Sequence, residues 1–257
     1  MPEEFLWFVA IGFLAQLVDG AIGMAYGITA TSVLLSLGVP PATASACTHA
    51  AETVTTGASG LSHWRLGNVD WVLFRKLAIP GMAGGAIGAY VLTNLDGDAI
   101  KPFISGYLLL LGVFILWKAF GARRRDTQEV RHAGPLAAFG GFADAIGGGG
   151  WGPIVTSTLV GQGAKPRYVI GTVNLTEFFV TAVISAVFVV TIGFSHWHII
   201  AGLILGGVAA APVAAYAVKY VPDRILMAAV GIAIVAISAR TIYVSGPKLA
   251  QQLASLF

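Results

Sequence analysis

Asp144-Ala145-Ile146-Gly147-Gly148-Gly149-Gly150-Trp151-Gly152-Pro153 interrupts an apolar stretch that runs from Leu136 to Val160. Four consecutive glycines are poor helix formers, and a proline suits the first turn of a new helix. The stretch reads as two helical pieces with a break between them. An earlier segment, Gln16-Leu17-Val18-Asp19-Gly20-Ala21-Ile22-Gly23, interrupts the apolar run from Phe5 to Leu37, with the break expected at Asp19-Gly20.

The two interruptions are copies. Displaced by 125 residues without gaps, the chain matches itself at Asp19/Asp144, Gly23/Gly148, Gly27/Gly152, Thr31/Thr156, Ser32/Ser157, Leu34/Leu159, Gly38/Gly163, Pro41/Pro166, Glu52/Glu177 and Thr56/Thr181, and Tyr26 meets Trp151. Glycine and alanine matches arise by chance in such a chain, but this order of Asp, Gly, Pro and Glu points to an internal duplication. The repeats are assigned to residues 1–120 and 135–257. A charged loop, 121–134, containing Arg123-Arg124-Arg125, joins them.

Composition sets the environment. Hydrophobic residues make up 56% of the 257 and charged residues 11%, and the mean hydropathy is +0.81. A soluble domain carries roughly 25% charged residues, so this chain cannot cover a soluble surface and must face lipid. The 33 glycines fit close helix packing in a bilayer. A net charge of +3 on so apolar a chain excludes a nucleic-acid reader. The single cysteine, Cys47, rules out an intrachain disulfide or a cysteine metal cluster, and reads as a small buried residue. The start Met1-Pro2-Glu3-Glu4 lacks the positive charge of a secretory signal, so this segment is expected to stay in the mature protein.

Further apolar stretches are Ala42 to Leu61, Leu77 to Thr93 and Phe103 to Trp117, then Tyr168 to Ile192, Ile199 to Val218 and Ile225 to Val244. A spanning helix needs about 20 residues. The fold class is an all-α polytopic membrane protein of two homologous halves, each a broken or re-entrant segment plus about three transmembrane helices.

Lys and Arg concentrate in cytoplasmic loops, which bears on how the halves are oriented. If each broken segment crosses once, the halves are parallel. The inside then holds Arg65, Arg75, Lys76, Lys118, Arg123, Arg124, Arg125, Arg131, Arg240 and Lys248, ten residues, against Lys101, Lys165, Arg167, Lys219 and Arg224, five, outside. If each is a re-entrant hairpin, the halves are inverted. Lys165, Arg167, Lys219 and Arg224 then move inside and Arg240 and Lys248 outside, giving twelve against three. The inverted arrangement is favoured.

Polar residues recur at helical spacing on one face of each copy: Ser45, Thr48, Glu52, Thr55 and Ser59, and Asn174, Glu177, Thr181 and Ser185. An intramembrane carboxyl is expensive and marks function by default. A carboxyl kept from water holds its proton more readily, so Glu52 and Glu177 are candidates for proton coupling; hydrogen-bonded glue between helices is the plainer alternative. Asp19 and Asp144 either cap the helix after each break or join the coupling. His49, at the place of Asn174 and one turn from Glu52, is a substrate ligand, a titrating partner or a satisfied core histidine.

Freed amides at helix starts attract anions. Non-helical backbone at membrane depth is tolerated inside protein or along a watery cavity, and inverted-repeat transporters build their sites from broken helices. Gly20, Gly23, Tyr26 and Gly27 in one copy, and Gly148, Gly149, Gly150, Trp151 and Gly152 in the other, are therefore candidate substrate contacts, with Thr48, His49, Asn174 and Thr181 beside them. Close packing through glycine is the alternative. His196-Trp197-His198 reads as an interfacial loop with an aromatic anchor rather than a metal site, and neither a cofactor nor a metal is expected.

The run Gly141 to Pro153, with Lys165-Pro166-Arg167, Gly171 and Asn174-Leu175-Thr176-Glu177-Phe178-Phe179, resembles the TauE/SafE sulfite exporter family, the TSUP transporters. The resemblance covers nearly the whole chain. It implies transport of small sulfur-containing anions such as sulfite, thiosulfate or sulfoacetate, with Gly147 through Gly152, Asn174 and Glu177 in the matching motif. The first half departs from the pattern: Gly20-Ala21-Ile22-Gly23-Met24 replaces a glycine run and His49 replaces asparagine, so the half-sites are unequal.

The expected function is a secondary transporter, by preference an exporter, of a small sulfur-containing anion, with proton coupling, in the bacterial inner membrane. The expected partners are the anion and the lipid bilayer, with a homodimer as an open oligomeric option. A passive anion channel and an intramembrane enzyme using Asp19 and Asp144 are the alternatives.

Overall fold

The computed structural model describes residues 2–22, 24–121, 132–162, 164–193, 196–217 and 223–254. Helices α1 (Pro2–Ile22), α2 (Tyr26–Ser36), α3 (Pro41–Arg65), α4 (Trp71–Thr93) and α5 (Gly97–Gly121) form the first half. The second has α6 (Ala133–Gly147), a π-helical turn (Gly152–Thr156) running into α7 (Ser157–Gly161), then α8 (Pro166–Ile192), α9 (Trp197–Ala217) and α10 (Asp223–Ala254). Boundaries recur at the 125-residue offset: α1 and α6 end at Ile22 and Gly147, α2 and α7 at Ser36 and Gly161, and α3 and α8 start at Pro41 and Pro166.

The chain is an all-α polytopic membrane protein. Gly97–Phe120, Arg167–Ile192 and Met227–Val244 are long and apolar enough to cross a bilayer. Large apolar side chains such as Ile79, Phe120 and Val190 point outward, while Thr48, His49, Glu52, Asp144 and Asn174 are buried. This inside-out polarity suits a lipid solvent.

Local chemistry sets the helix ends. Pro41 and Pro166 open α3 and α8, where a missing amide hydrogen does no harm. Asp70 caps α4, its Oδ1 accepting from the amides of Val72 and Leu73. Gly148, at φ 67°, ends α6 in the left-handed conformation that glycine adopts without strain.

Helices pack in pairs that exchange when the halves are swapped: α1 with α9 and α6 with α4, while α3 packs on α8 and α5 on α10. Glycines bring backbones together. A methyl on Gly84 would overlap the Ala138 carbonyl, one on Gly141 the Gly81 carbonyl, and one on Gly206 the Val9 carbonyl. Such small-residue seams let membrane helices associate by packing alone.

Helices α3 and α8 run antiparallel. Along α3, His49 faces Phe188, Gly57 faces Phe178 and Gly60 faces Leu175; Asn68, just past its end, meets Gly171. The segment α6–α7 doubles back. Gly134 at its start lies 3.9 Å from the Lys76 carbonyl, counted from the position of a methyl, and Ala164 and Lys165 after its end share a cavity with Lys76. Likewise Trp7 near the start of α1 and Leu37 past the end of α2 line one apolar groove.

Two sequence expectations need correction. The first break does not fall at Asp19-Gly20: α1 stays helical to Ile22, and α6 stays helical past Asp144 to Gly147. The aspartates belong to the helix before each break and reach forward across it. Lys118, counted among the topology-setting charges of the inside face, lies within α5. Arg123, Arg124, Arg125 and Arg131 lie outside the described residues.

Candidate functional site

Each break is spanned by an aspartate. Asp19 Oδ1 accepts from the amides of Ala25 at 2.8 Å and Tyr26 at 3.2 Å. Asp144 Oδ1 accepts from the amide of Trp151 at 3.0 Å, and its carbonyl accepts from Gly149 at 3.1 Å. Both aspartates thus satisfy helix-start amides seven residues on, the capping reading.

The two breaks meet. A methyl on Gly27 would lie 2.9 Å from both Gly148 O and Gly149 Cα, and one on Gly149 would overlap the Gly27–Ile28 peptide. Thr31 Oγ1 donates to Gly148 O at 2.6 Å and lies 3.1 Å from Thr48 Oγ1. Backbone therefore touches backbone, with α2 of one half seated on the glycine turn of the other.

Titratable side chains surround this contact. Glu52 and Glu177 sit on α3 and α8, and the charges of Glu52, Asp19 and Asp144 are close enough to act on Glu177. The Gly27 amide lies beside the Glu52 carboxyl, yet Glu52 Oε2 closes no hydrogen bond although it is buried. Trp151 Nε1, Tyr107 Oη and Thr156 Oγ1 are also buried without a partner. Buried polar atoms left without a partner are uncommon in a folded interior. The second break also carries the π-helical turn, a feature frequent at functional sites.

The predicted contacts are placed as follows. Trp151 fills a slot against Gly81 and Gly140, and the Tyr26 hydroxyl donates to Leu203 O at 3.3 Å; both rings are packed inside. Gly150 and Gly147 lie against Tyr107, and Gly152 opens the π-helical turn. Gly20 is in the last turn of α1, and Gly23 lies outside the described residues. The Thr181 hydroxyl bonds back to Glu177 O at 2.8 Å. Asn174 Oδ1 accepts from Ser59 at 3.1 Å, and its amide donates to Ile170 O at 2.9 Å. His49 meets Asp144 on the opposite half, Nε2 to Oδ2, at 3.2 Å, rather than Glu52.

The amides expected to stand open to an anion are in part taken. Ala25, Tyr26 and Trp151 already donate to carboxylates of the protein, which occupy an anion's place at both helix starts.

Three contributors escaped the sequence reading. Tyr107 is one aromatic among many. Thr31 showed only as a repeat identity with Thr156. Lys118 looked like a topology charge, but its Nζ reaches Ser157 Oγ at 2.9 Å and Met24 Sδ at 3.6 Å, a cation beside both hairpins.

Comparison with known proteins now decides the family. Residues 8–241 match the family described as sulfite exporter TauE/SafE. The chain belongs to the TauE/SafE family. This TauE/SafE chain is 43% identical over 250 residues to the "Probable membrane transporter protein YtnM" of Bacillus subtilis (strain 168), an alignment covering 93% of this chain and 83% of that protein. No solved structure matches it. As a TauE/SafE protein it is a multi-pass membrane transporter.

Proposed function

We propose that this chain is a secondary transporter that carries a small sulfur-containing anion, sulfite or an organosulfonate, across the bacterial inner membrane, with proton exchange inside the carboxyl cluster Asp19, Glu52, Asp144 and Glu177. Export is the direction that the family description carries. The observation behind this reading is the meeting of two helix breaks whose amides are held by the protein's own carboxylates.

A carboxylate on a helix start is a tethered rival for an anion. When the hairpins part and the carboxylate lets go of them, the same amides can receive sulfite or sulfonate oxygens. Lys118, close to both hairpins, offsets the anion's charge. Direct contact between Gly27 and the Gly148–Gly149 turn means the anion enters only as the hairpins separate. That favours alternating access over the open pore of a channel.

We also take the halves to be inverted. Antiparallel α3 and α8 and hairpins that return to their side of entry support this, and it places Arg65, Arg75, Lys76, Lys165 and Arg167 on the cytoplasmic side by the positive-inside rule.

A thermal-shift screen of purified protein against sulfite, sulfate, thiosulfate, sulfoacetate, isethionate and taurine tests the substrate class. The expected result is a selective rise in Tm with one sulfur anion. A flat response to all of them, with intact protein, counts against the reading.

A further inference from the structure

His49 Nδ1 lies 2.8 Å from Ser45 O and 3.2 Å from Ser45 Oγ. The Ser45 hydroxyl gives its hydrogen to Ala145 O at 2.6 Å. Both groups facing Nδ1 are therefore acceptors, and Nδ1 carries a hydrogen. Nε2 faces Asp144 Oδ2 at 3.2 Å, with both side chains buried. With Nδ1 already a donor, that contact closes only if one more proton lies between Nε2 and Oδ2. It sits on the imidazole as imidazolium or on the carboxyl as acid. Without it, a nitrogen lone pair faces an anionic oxygen away from water.

The second repeat lacks such a link. Asn174 stands at the position of His49 and makes the same bond four residues back, to Ile170 O. Its Oδ1 takes the hydrogen of Ser59. An amide does not gain or lose a proton in this range. The pseudosymmetric centre thus has a titratable tie from α3 to α6, and a fixed amide where its twin would be.

We propose that His49 and Asp144 hold the coupling proton between them, and that its departure unlatches the α6–α7 hairpin from α3. This deepens the transport reading above and rests on it. While the proton is shared, α3 holds two successive residues of α6: His49 holds the Asp144 side chain and Ser45 the Ala145 carbonyl. The other oxygen of Asp144 holds the Trp151 amide, so one carboxyl joins the latch to the start of the returning helix. When the proton leaves, repulsion between Nε2 and Oδ2 replaces attraction. Three further carboxyls share this centre: Glu52 on α3 and Glu177 on α8, each within electrostatic reach of Asp144, and Asp19 on α1, within reach of both glutamates. Tyr107 on α5 feels the Asp144 charge, and Tyr26 on α2 those of Glu52 and Asp19. From α8, Phe188 covers the His49 ring, and α4 presents Gly81, Gly84 and Gly88 to α6. Lys118 of α5 engages the hairpin at Ser157, past the latch.

His49→Asn is the direct test, because the second repeat shows that asparagine fits this position with its backbone bond intact. Purified protein in proteoliposomes is assayed for sulfite counterflow at equal pH on both sides, over a range of pH, and for accumulation under imposed pH gradients. The expected result is loss of gradient-driven accumulation, with a flattened pH dependence of the counterflow that remains. Gradient-driven accumulation at the wild-type level overturns the proposal. A wild-type protein that moves no sulfite in either assay overturns the transport reading instead. If the variant does not assemble, ¹⁵N-histidine NMR of the wild-type protein decides: Nδ1 of His49 stays protonated while Nε2 responds to pH. An unprotonated Nδ1, or an imidazole indifferent to pH, overturns the proposal.

Discussion

Gly149 lies against the peptide joining Gly27 to Ile28, so closely that a methyl group on it would overlap backbone atoms of both residues. The two hairpins thus touch main chain to main chain. Only a residue without a Cβ allows this, and neither backbone can swing aside as a side chain would.

Gly149→Ala is therefore expected to push the hairpins apart while leaving the helices in place. A displacement of about 1 Å can cost on the order of a hundredfold in rate, and a loss of sulfite flux of that order is predicted from well-assembled protein. Size-exclusion profile and flux together check it; wild-type flux would show that the contact does not position the site.

Gly81 on α4 forms one wall of the slot for Trp151, where an added methyl would come 2.6 Å from Trp151 Cη2. Gly81→Val should destabilise the protein by about 1–3 kcal/mol, the usual range for overpacking, seen as a lowered Tm in detergent. Gly106→Ala on α5, where nothing lies within 4 Å of the added methyl, is the control expected to melt like wild type.

The broken segments were legible because glycine runs and repeated aspartates are local signals, and a duplication doubles them. Their exact ends were not. An aspartate that caps across seven residues looks like a helix stopper until the chain is folded, which is why the break was expected at Asp19-Gly20 and lies after Ile22. Glu52 and Glu177 announced themselves as carboxyls in apolar runs. The pairing of His49 with Asp144, 95 residues apart, depends on α6 lying beside α3, and no helical spacing encodes that. Spacing pointed to Glu52, one turn away. Lys118 shows the same limit: counted with the arginines that follow it, it read as a topology charge.

Inverted halves place Arg65 and Lys165 on one face of the membrane and Lys101 on the other. In a Cys47→Ser background, Arg65→Cys and Lys165→Cys should both resist a membrane-impermeant maleimide applied to intact cells and react once the cells are opened. Lys101→Cys should react in intact cells. Labelling of Lys165→Cys together with Lys101→Cys from outside would mean that the halves are parallel.

Lys118→Met removes the ammonium that reaches Ser157 and Met24. A hydrogen bond to a charged group contributes about 1.5–3 kcal/mol, so the KM for sulfite should rise at least about tenfold. If the cation binds ground and transition states alike, kcat should change little. An unchanged KM would remove Lys118 from the anion's path.

The most direct measurement is sulfite accumulation in proteoliposomes of the purified wild-type protein under imposed pH gradients of either sign. Accumulation beyond the equilibrium level under one sign, abolished when the gradient is collapsed, is the predicted result. Sulfite that only equilibrates whatever the gradient, or does not cross at all, would contradict a proton-coupled carrier built on these hairpins.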